Sequence, residues 1–127
     1  MIIYLDYDGT MVEHMWPAEG PPVPHSVDIC LQLQKRGYKI ILNTKRVELD
    51  RASFQRSVDY LLKAGLNIHT VRYTKLEPGF WNPYEGMSTL FLDDTASGIP
   101  LMKSTVATPP MVDWKKVEKT LKKIKIL

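Results

Sequence analysis

Ile2-Ile3-Tyr4-Leu5-Asp6-Tyr7-Asp8-Gly9-Thr10 is the stretch on which the reading of this chain turns. Its first four residues are an uninterrupted apolar run with two β-branched members, the pattern of a short buried strand. The run stops at Asp-x-Asp-Gly-Thr, a cluster of turn-forming residues. The chain therefore opens with a buried strand that delivers two acids and a glycine at its carboxyl end.

Working outward, the same arrangement recurs. Tyr38-Lys39-Ile40-Ile41-Leu42-Asn43 reads as a second buried strand and is followed by Thr44-Lys45-Arg46. Residues 67–73 read as a third, with Lys75 just beyond, and Ser88-Thr89-Leu90-Phe91-Leu92 as a fourth, ending at Asp93-Asp94. Ser104 to Ala107 reads as a fifth, short strand. Between them lie helical patterns. Ser26 is placed to cap a helix reaching Arg36, with Gly37 at its end. A second helix is predicted over 50–63, with Phe54, Val58, Leu61 and Leu62 as its apolar stripe. Asp113 is placed to cap a last helix with Trp114, Val117, Leu121 and Ile124 on one face. Residues 11–25, with four prolines and a glycine, exclude a regular helix and read as a long flap-like loop. Residues 76–87 read as loop. Strands alternating with helices predict an α/β fold, a doubly wound, mostly parallel five-stranded sheet with helices on both faces.

The chain has 127 residues, which suits a single domain, 1–127. It lacks an apolar run of the roughly 18 residues that a membrane span needs, and Met1 to Asp6 carries no basic region of the kind that opens a secretory leader. Cys30, the single cysteine, has no internal disulfide partner and reads as a small core residue; a reducing, cytoplasmic setting is the expectation. The formal charge is +3, but it is unevenly placed. Residues 114–127 hold six lysines against Glu118, a balance of +5, leaving the other 113 residues at −2. The basic segment 113–127 reads first as the solvated face of a terminal helix, and second as a patch for a polyanion.

In open α/β sheets, ligands bind beyond the carboxyl ends of the strands. Asp6, Asp8, Thr44, Arg46, Lys75, Asp93 and Asp94 all fall on that rim. Four carboxylates gathered there repel one another, and a divalent cation is the usual compensation. Oxygen-only ligands suit Mg²⁺, whereas zinc is disfavoured because no Cys/His cluster has suitable spacing. His14, His25 and His69 are scattered and read as surface or packing residues, and Trp16, Trp81 and Trp114 read as packing. A metal, a free carboxylate and neighbouring cations make a site for a phosphate, on which one Asp can act as nucleophile and another as acid and base.

Asp6-Tyr7-Asp8-Gly9-Thr10 after an apolar strand resembles the first motif of the haloacid dehalogenase-like (HAD) phosphatase superfamily. Asp-x-Asp-Gly-Thr should arise by chance about once in 10³ chains of this length. Thr44, Lys75 and Asp93-Asp94 are similar to the second, third and fourth motifs, and they come in that order. Val12-Glu13-His14 with Pro17, and Gly98-Ile99-Pro100-Leu101, are similar to a small bacterial and phage subgroup. The resemblance implies a Rossmann-like HAD fold and a Mg²⁺-dependent phosphomonoester hydrolase. Asp6 would be nucleophile and metal ligand. Asp8 would be general acid and base, with its backbone carbonyl on the metal. Asp93 would complete the metal site and Asp94 support it. Thr44 and Lys75 would hold the phosphoryl group, with Lys45 and Arg46 as rivals for the lysine's role. Gly9 and Thr10 would sit beneath the phosphate, and Arg46 is read as a bidentate phosphate clamp. Residues 11–25 and 76–87 are too few for a folded cap, so the capless class is implied. The expected partner is a phosphorylated substrate, either a small molecule or a nucleic-acid end; no membrane is expected and an oligomer is left open. A nucleic-acid 3′-phosphatase or nucleotidase is the alternative within enzymes. A non-catalytic binding or regulatory protein is the alternative outside them.

Overall fold

The opening run alternates in its burial: Ile3 and Leu5 are fully buried, Ile2 and Tyr4 only partly. In the computed structural model, which describes residues 1–70, 73–84 and 88–127, this run is strand β1 (Ile2–Leu5). It pairs in parallel with β2 (Lys39–Leu42) on one side and β4 (Thr89–Leu92) on the other, and β2 pairs in parallel with β3 (Ile68–His69). The sheet order is β3-β2-β1-β4. Register aligns Ile3 with Ile40 and Leu90, and Leu5 with Leu42 and Leu92. These six side chains form one apolar face.

That face takes all the main helices. α1 (Ser26–Lys35) contributes Ile29, Cys30 and Leu33 to the core, α3 (Arg51–Lys63) contributes Leu61, and α4 (Trp114–Lys123) contributes Trp114, Val117 and Leu121. Each large side chain so buried stabilises the fold by about 1.5–3 kcal/mol. On the opposite face Tyr4 and Phe91 stack at 4.9 Å between ring centroids and stay partly exposed. With Ile41 they stand outside the core cluster. The expected doubly wound sheet, covered by helices on both faces, is corrected accordingly. The physical reason lies in the crossovers. β1 to β2 and β2 to β3 step in the same direction, so right-handed connections lay α1 and α3 on one face. The step back to β4 carries no helix among the described residues.

Among the described residues the parallel sheet has four strands, not five. Residues 104–107 form no strand, because the Ser104 and Thr105 hydroxyls donate to the buried Glu13 carboxylate at 2.6 and 2.7 Å. Instead β5 (Leu101–Met102) and β6 (Met111–Val112) make a small antiparallel pair. β3 is shorter than expected, and Val71 and Arg72 of the predicted third strand lie outside the described residues, as do positions 85–87 of the predicted loop. A single turn, α2 (Arg46–Leu49), was not anticipated.

Two of the four described helices, α3 and α4, begin with a side-chain cap. Asp50 accepts from the Ser53 N–H at 3.0 Å, and Asp113 from the Lys116 N–H at 3.2 Å. Ser26 does not cap α1; it lies in the first turn, and its hydroxyl donates to the Met11 carbonyl at 3.2 Å. In α3, Ser53, Ser57 and Leu61 are buried while Leu62 is half exposed, because the core face runs through 54, 57, 58 and 61, and 62 lies about 100° past it.

Loop 11–25 contains no folded cap. Its base is core: Met11, Val12 and Glu13 are buried, and Val12 bridges to both Asp8 and Pro22. Its tip, residues 15–19, is exposed, and so are Pro22, Pro24 and His25 on the return to α1. No described helix is long and apolar enough to cross a membrane.

Candidate functional site

The ladder of the sheet runs one residue past β1 and β2. The Asp6 N–H donates to Leu92 O at 2.9 Å, and the Asn43 N–H to Leu5 O at 2.7 Å. This fixes Asp6 at the carboxyl edge, beside the residues that end β4. Asp6, Asp93 and Asp94 each offer a carboxylate oxygen, and the three atoms lie within 4.8 Å of one another. Lys75 Nζ reaches the same point, 2.7 Å from Asp93 Oδ2 and 3.3 Å from Asp6 Oδ1. What brings Lys75 there is Asn43. Its side-chain amide donates to Leu76 O at 3.0 Å, and its Oδ1 accepts from the Leu76 N–H at 2.9 Å.

The acids are individually oriented. The Thr10 hydroxyl, fully buried, donates to Asp6 Oδ2 and accepts from the Asp94 N–H, both at 3.2 Å. Thr95 donates its N–H and its hydroxyl to Asp93 Oδ1 at 2.9 and 2.7 Å. Asp93 Oδ2 is buried without a hydrogen-bond donor aligned on it, and the Lys75 ammonium is its charge neighbour. His14 Nε2 lies 2.7 Å from Asp94 Oδ2. Gly9 makes this pairing possible: it sits at φ +79°, and a Cβ there would overlap the His14 ring and the Asp94 carboxylate.

Burial first, and then the neighbouring Asp93 charge, raise the Asp6 carboxyl well above the ordinary carboxylate range. Burial works against the Lys75 ammonium, but Asp6 and Asp93 outweigh it and hold Lys75 above its usual value. The hydrogen bond that the His14 ring donates to the Asp94 carboxylate raises His14. Burial opposes the charge on Asp94, yet His14 wins and lowers it. Burial and the two neighbouring acids thus favour the neutral form of Asp6, against the pull of Lys75.

These groups open onto a cavity of about 400 Å³, lined among others by Asp6, Asp8, His14, Trp16, Thr44 and Lys75. Thr44 is buried, and its oxygen accepts from the Arg46 N–H at 3.2 Å, which leaves the hydroxyl proton free to point into the cavity. Asp8 lies on the wall, but both of its oxygens are engaged. Arg46 Nε is 2.8 Å from Oδ2 and Nη2 is 2.8 Å from Oδ1.

The structure thus brings together Asp6, Thr44, Lys75, Asp93 and Asp94 as predicted. It places three predicted residues differently. Arg46 is fully buried and does not line the cavity: its guanidinium holds Asp8, Glu19 Oε1 at 2.8 Å and Ser53 O at 3.0 Å. It is therefore a scaffold for Asp8 and not a phosphate clamp. The Asp8 carboxylate belongs to this arginine and stands apart from the three-acid cluster. Thr10 lies beneath Asp6 and Asp94 and is covered by them. Two residues were missed. Asn43 gave no signal beyond ending a strand. His14 was read as surface or packing, although it follows the first motif by only a few residues. Trp16, expected to pack, is 43% exposed and lines the cavity. Trp114 does pack, and its indole N–H donates to Thr10 O at 2.7 Å.

Fold and site together define an α/β protein with an acidic, lysine-paired cluster at the carboxyl edge of a parallel sheet. A solved structure of a conserved protein from Bacteroides thetaiotaomicron shares the fold. Its TM-score is 0.64 at 21% identity, over 97% of this chain and 90% of that one. No protein-family model matches the chain, and no curated protein is significantly similar to it.

Proposed function

We propose that this protein is a Mg²⁺-dependent phosphomonoester hydrolase of the haloacid dehalogenase-like kind, without a cap, acting through an aspartyl-phosphate on Asp6. The observation that carries this reading is the meeting of Asp6, Asp93, Asp94 and Lys75 at one point beside a cavity walled by Asp8 and Thr44. The three acids fit a divalent cation. Asp93 Oδ2 is buried without an aligned donor, and three acids share this point with the single Lys75 ammonium and the His14 ring. Asp6, Asp93 and Asp94 would hold the ion; its chemistry there is to neutralise the acids and draw charge from phosphoryl oxygens.

The chain's own residues supply the rest. Thr10 holds Asp6 Oδ2 in place and leaves Oδ1 toward Lys75, so one oxygen is presented for attack on phosphorus. Attack forms an Asp6 carboxyl–phosphorus bond and breaks the ester bond to the leaving oxygen. Thr44 and Lys75 donate to the phosphoryl oxygens as their charge rises. Asp8 protonates the leaving oxygen and then takes a proton from the water that releases phosphate. For this it must give up one of its two bonds to Arg46, so the Arg46–Glu19 contact sets how readily Asp8 turns toward the cavity. No α4 lysine lines the cavity, which leaves the polymer-end substrate without a structural argument among the described residues.

The test is turnover of an aryl phosphate with and without Mg²⁺, in wild type and Asp6→Asn. Metal-dependent hydrolysis that Asp6→Asn abolishes is expected. A wild type inert across a panel of phosphate esters ends the hydrolase reading and leaves a binding protein.

A further inference from the structure

A second hollow adjoins the cavity. It measures about 520 Å³, within the range of small-molecule sites. Leu49, at the end of α2, lines both spaces, so the phosphate cavity and this groove share one wall. The groove carries the Tyr73 ring, 93% exposed, the Phe54 ring, half buried, and Arg51, which has no carboxylate within ion-pair distance among the described residues. Leu49 is itself 52% exposed. A single exposed leucine or tyrosine is ordinary. Two rings, a leucine and an unpaired guanidinium around one hollow, opening off a candidate phosphate site, are a platform on which a flat ring can stack.

Charge narrows the occupant further. Glu48 and Asp50 also line the groove. Asp50 caps α3 and Glu48 lies 3.4 Å from Lys45, but both remain carboxylates on the wall. A second phosphate, or a nucleic-acid backbone running along the groove, would meet two acids and one arginine. An uncharged ring meets no such repulsion.

We infer that this groove is the leaving-group subsite of the proposed hydrolase and accepts a planar aromatic group, as in a nucleoside or aryl monoester bearing a single phosphate. The inference rests on the hydrolase reading for the phosphate's position, and on Leu49, Phe54, Tyr73 and Arg51 for the ring. It favours a mononucleotide over a sugar phosphate and over a polynucleotide end.

AMP and ribose 5-phosphate test it, because they share the ester and the sugar and differ in the base. With Mg²⁺, kcat/KM for AMP is expected to exceed that for ribose 5-phosphate by roughly tenfold, the usual gain from one stacked base. Tyr73→Ala should bring the two substrates close together. Leu62→Ala, exposed and lining neither hollow, should keep the preference. Equal kcat/KM in the wild type, or a preference that survives Tyr73→Ala, overturns the subsite while leaving the hydrolase reading standing. If neither ester turns over, affinity decides the groove, while the hydrolase reading is decided by the ester panel. Calorimetric binding of AMP tighter than ribose 5-phosphate, and weakened in Tyr73→Ala, supports the subsite; equal affinities overturn it.

Discussion

Replacing Arg46 with methionine separates two roles for this residue that differ in kind. As a phosphate clamp it would matter for KM and little for stability. As the structure has it, the side chain is fully buried and makes two charge-assisted hydrogen bonds to Asp8 at 2.8 Å, two to Glu19 at 2.8 and 3.4 Å and one to Ser53 O at 3.0 Å. Its guanidinium also lies 4.8 Å from the centre of the Tyr7 ring. Methionine keeps most of the volume and removes every polar contact, leaving Asp8 without a cation and Glu19 with only the half-exposed Arg56, 3.6 Å away. Breaking a buried ion pair on one side costs about 3–5 kcal/mol. The two acids keep side-chain exposures of 17% and 34%, so water recovers part of that, and a loss of about 3 kcal/mol is expected. Urea unfolding at pH 7 without divalent metal reads it from the midpoint at constant slope. The double variant Arg46→Met/Asp8→Asn should lose less than the sum of the single variants, by about 1–3 kcal/mol, since each change removes the other's stranded partner. A loss under about 1 kcal/mol, or strict additivity, refutes the scaffold role.

Other outcomes follow from the same contacts. Gly9→Ala forces a Cβ into the His14–Asp94 pair at a left-handed φ, and should lower stability by at least about 2 kcal/mol in a thermal melt. Glu13→Gln disturbs a buried carboxylate held by Ser104 and Thr105, and should cost about 1–3 kcal/mol at pH 7. Those hydroxyls hold Glu13 below its ordinary 4.5. Its contribution is therefore present above pH 4.5 and lost as pH falls through the folded value, so wild type and variant should converge in acid-range melts. Mg²⁺ at about 100 times its Kd should stabilise the wild type by about 2.7 kcal/mol, and Asp93→Asn should lose most of that gain.

The first strand and its acids were legible because an apolar run ending in Asp-x-Asp-Gly-Thr has one sensible reading at short range. The same run hid the winding. Four apolar residues look alike whether both faces are covered or one, and only the fall of Ile3 and Leu5 toward the helices, with Tyr4 turned away, distinguishes the cases. Lys75 was legible by its place after a strand, but its reach to Asp93 depends on Asn43 gripping Leu76 from 33 residues away. Arg46 was misread for a related reason. Two residues past Thr44 it sits where a clamp would, and only the packing of loop 11–25 brings Glu19 to share it with Asp8. His14 and Asp94 are 80 residues apart, and no local pattern announces that they meet. The predicted fifth strand failed because Ser104 and Thr105 bind Glu13, a long-range polar contact that outweighs local strand propensity.

The central claim is that Asp6 attacks phosphorus, and the most direct measurement is an acid-quenched single turnover with Mg²⁺ and an aryl phosphate, followed by peptide mass analysis. One phosphoryl group on the peptide carrying Asp6, absent in Asp6→Asn and slow to discharge in Asp8→Asn, is the predicted result. Turnover with no covalent phosphate at Asp6 at any quench time, in the wild type and in Asp8→Asn alike, contradicts it.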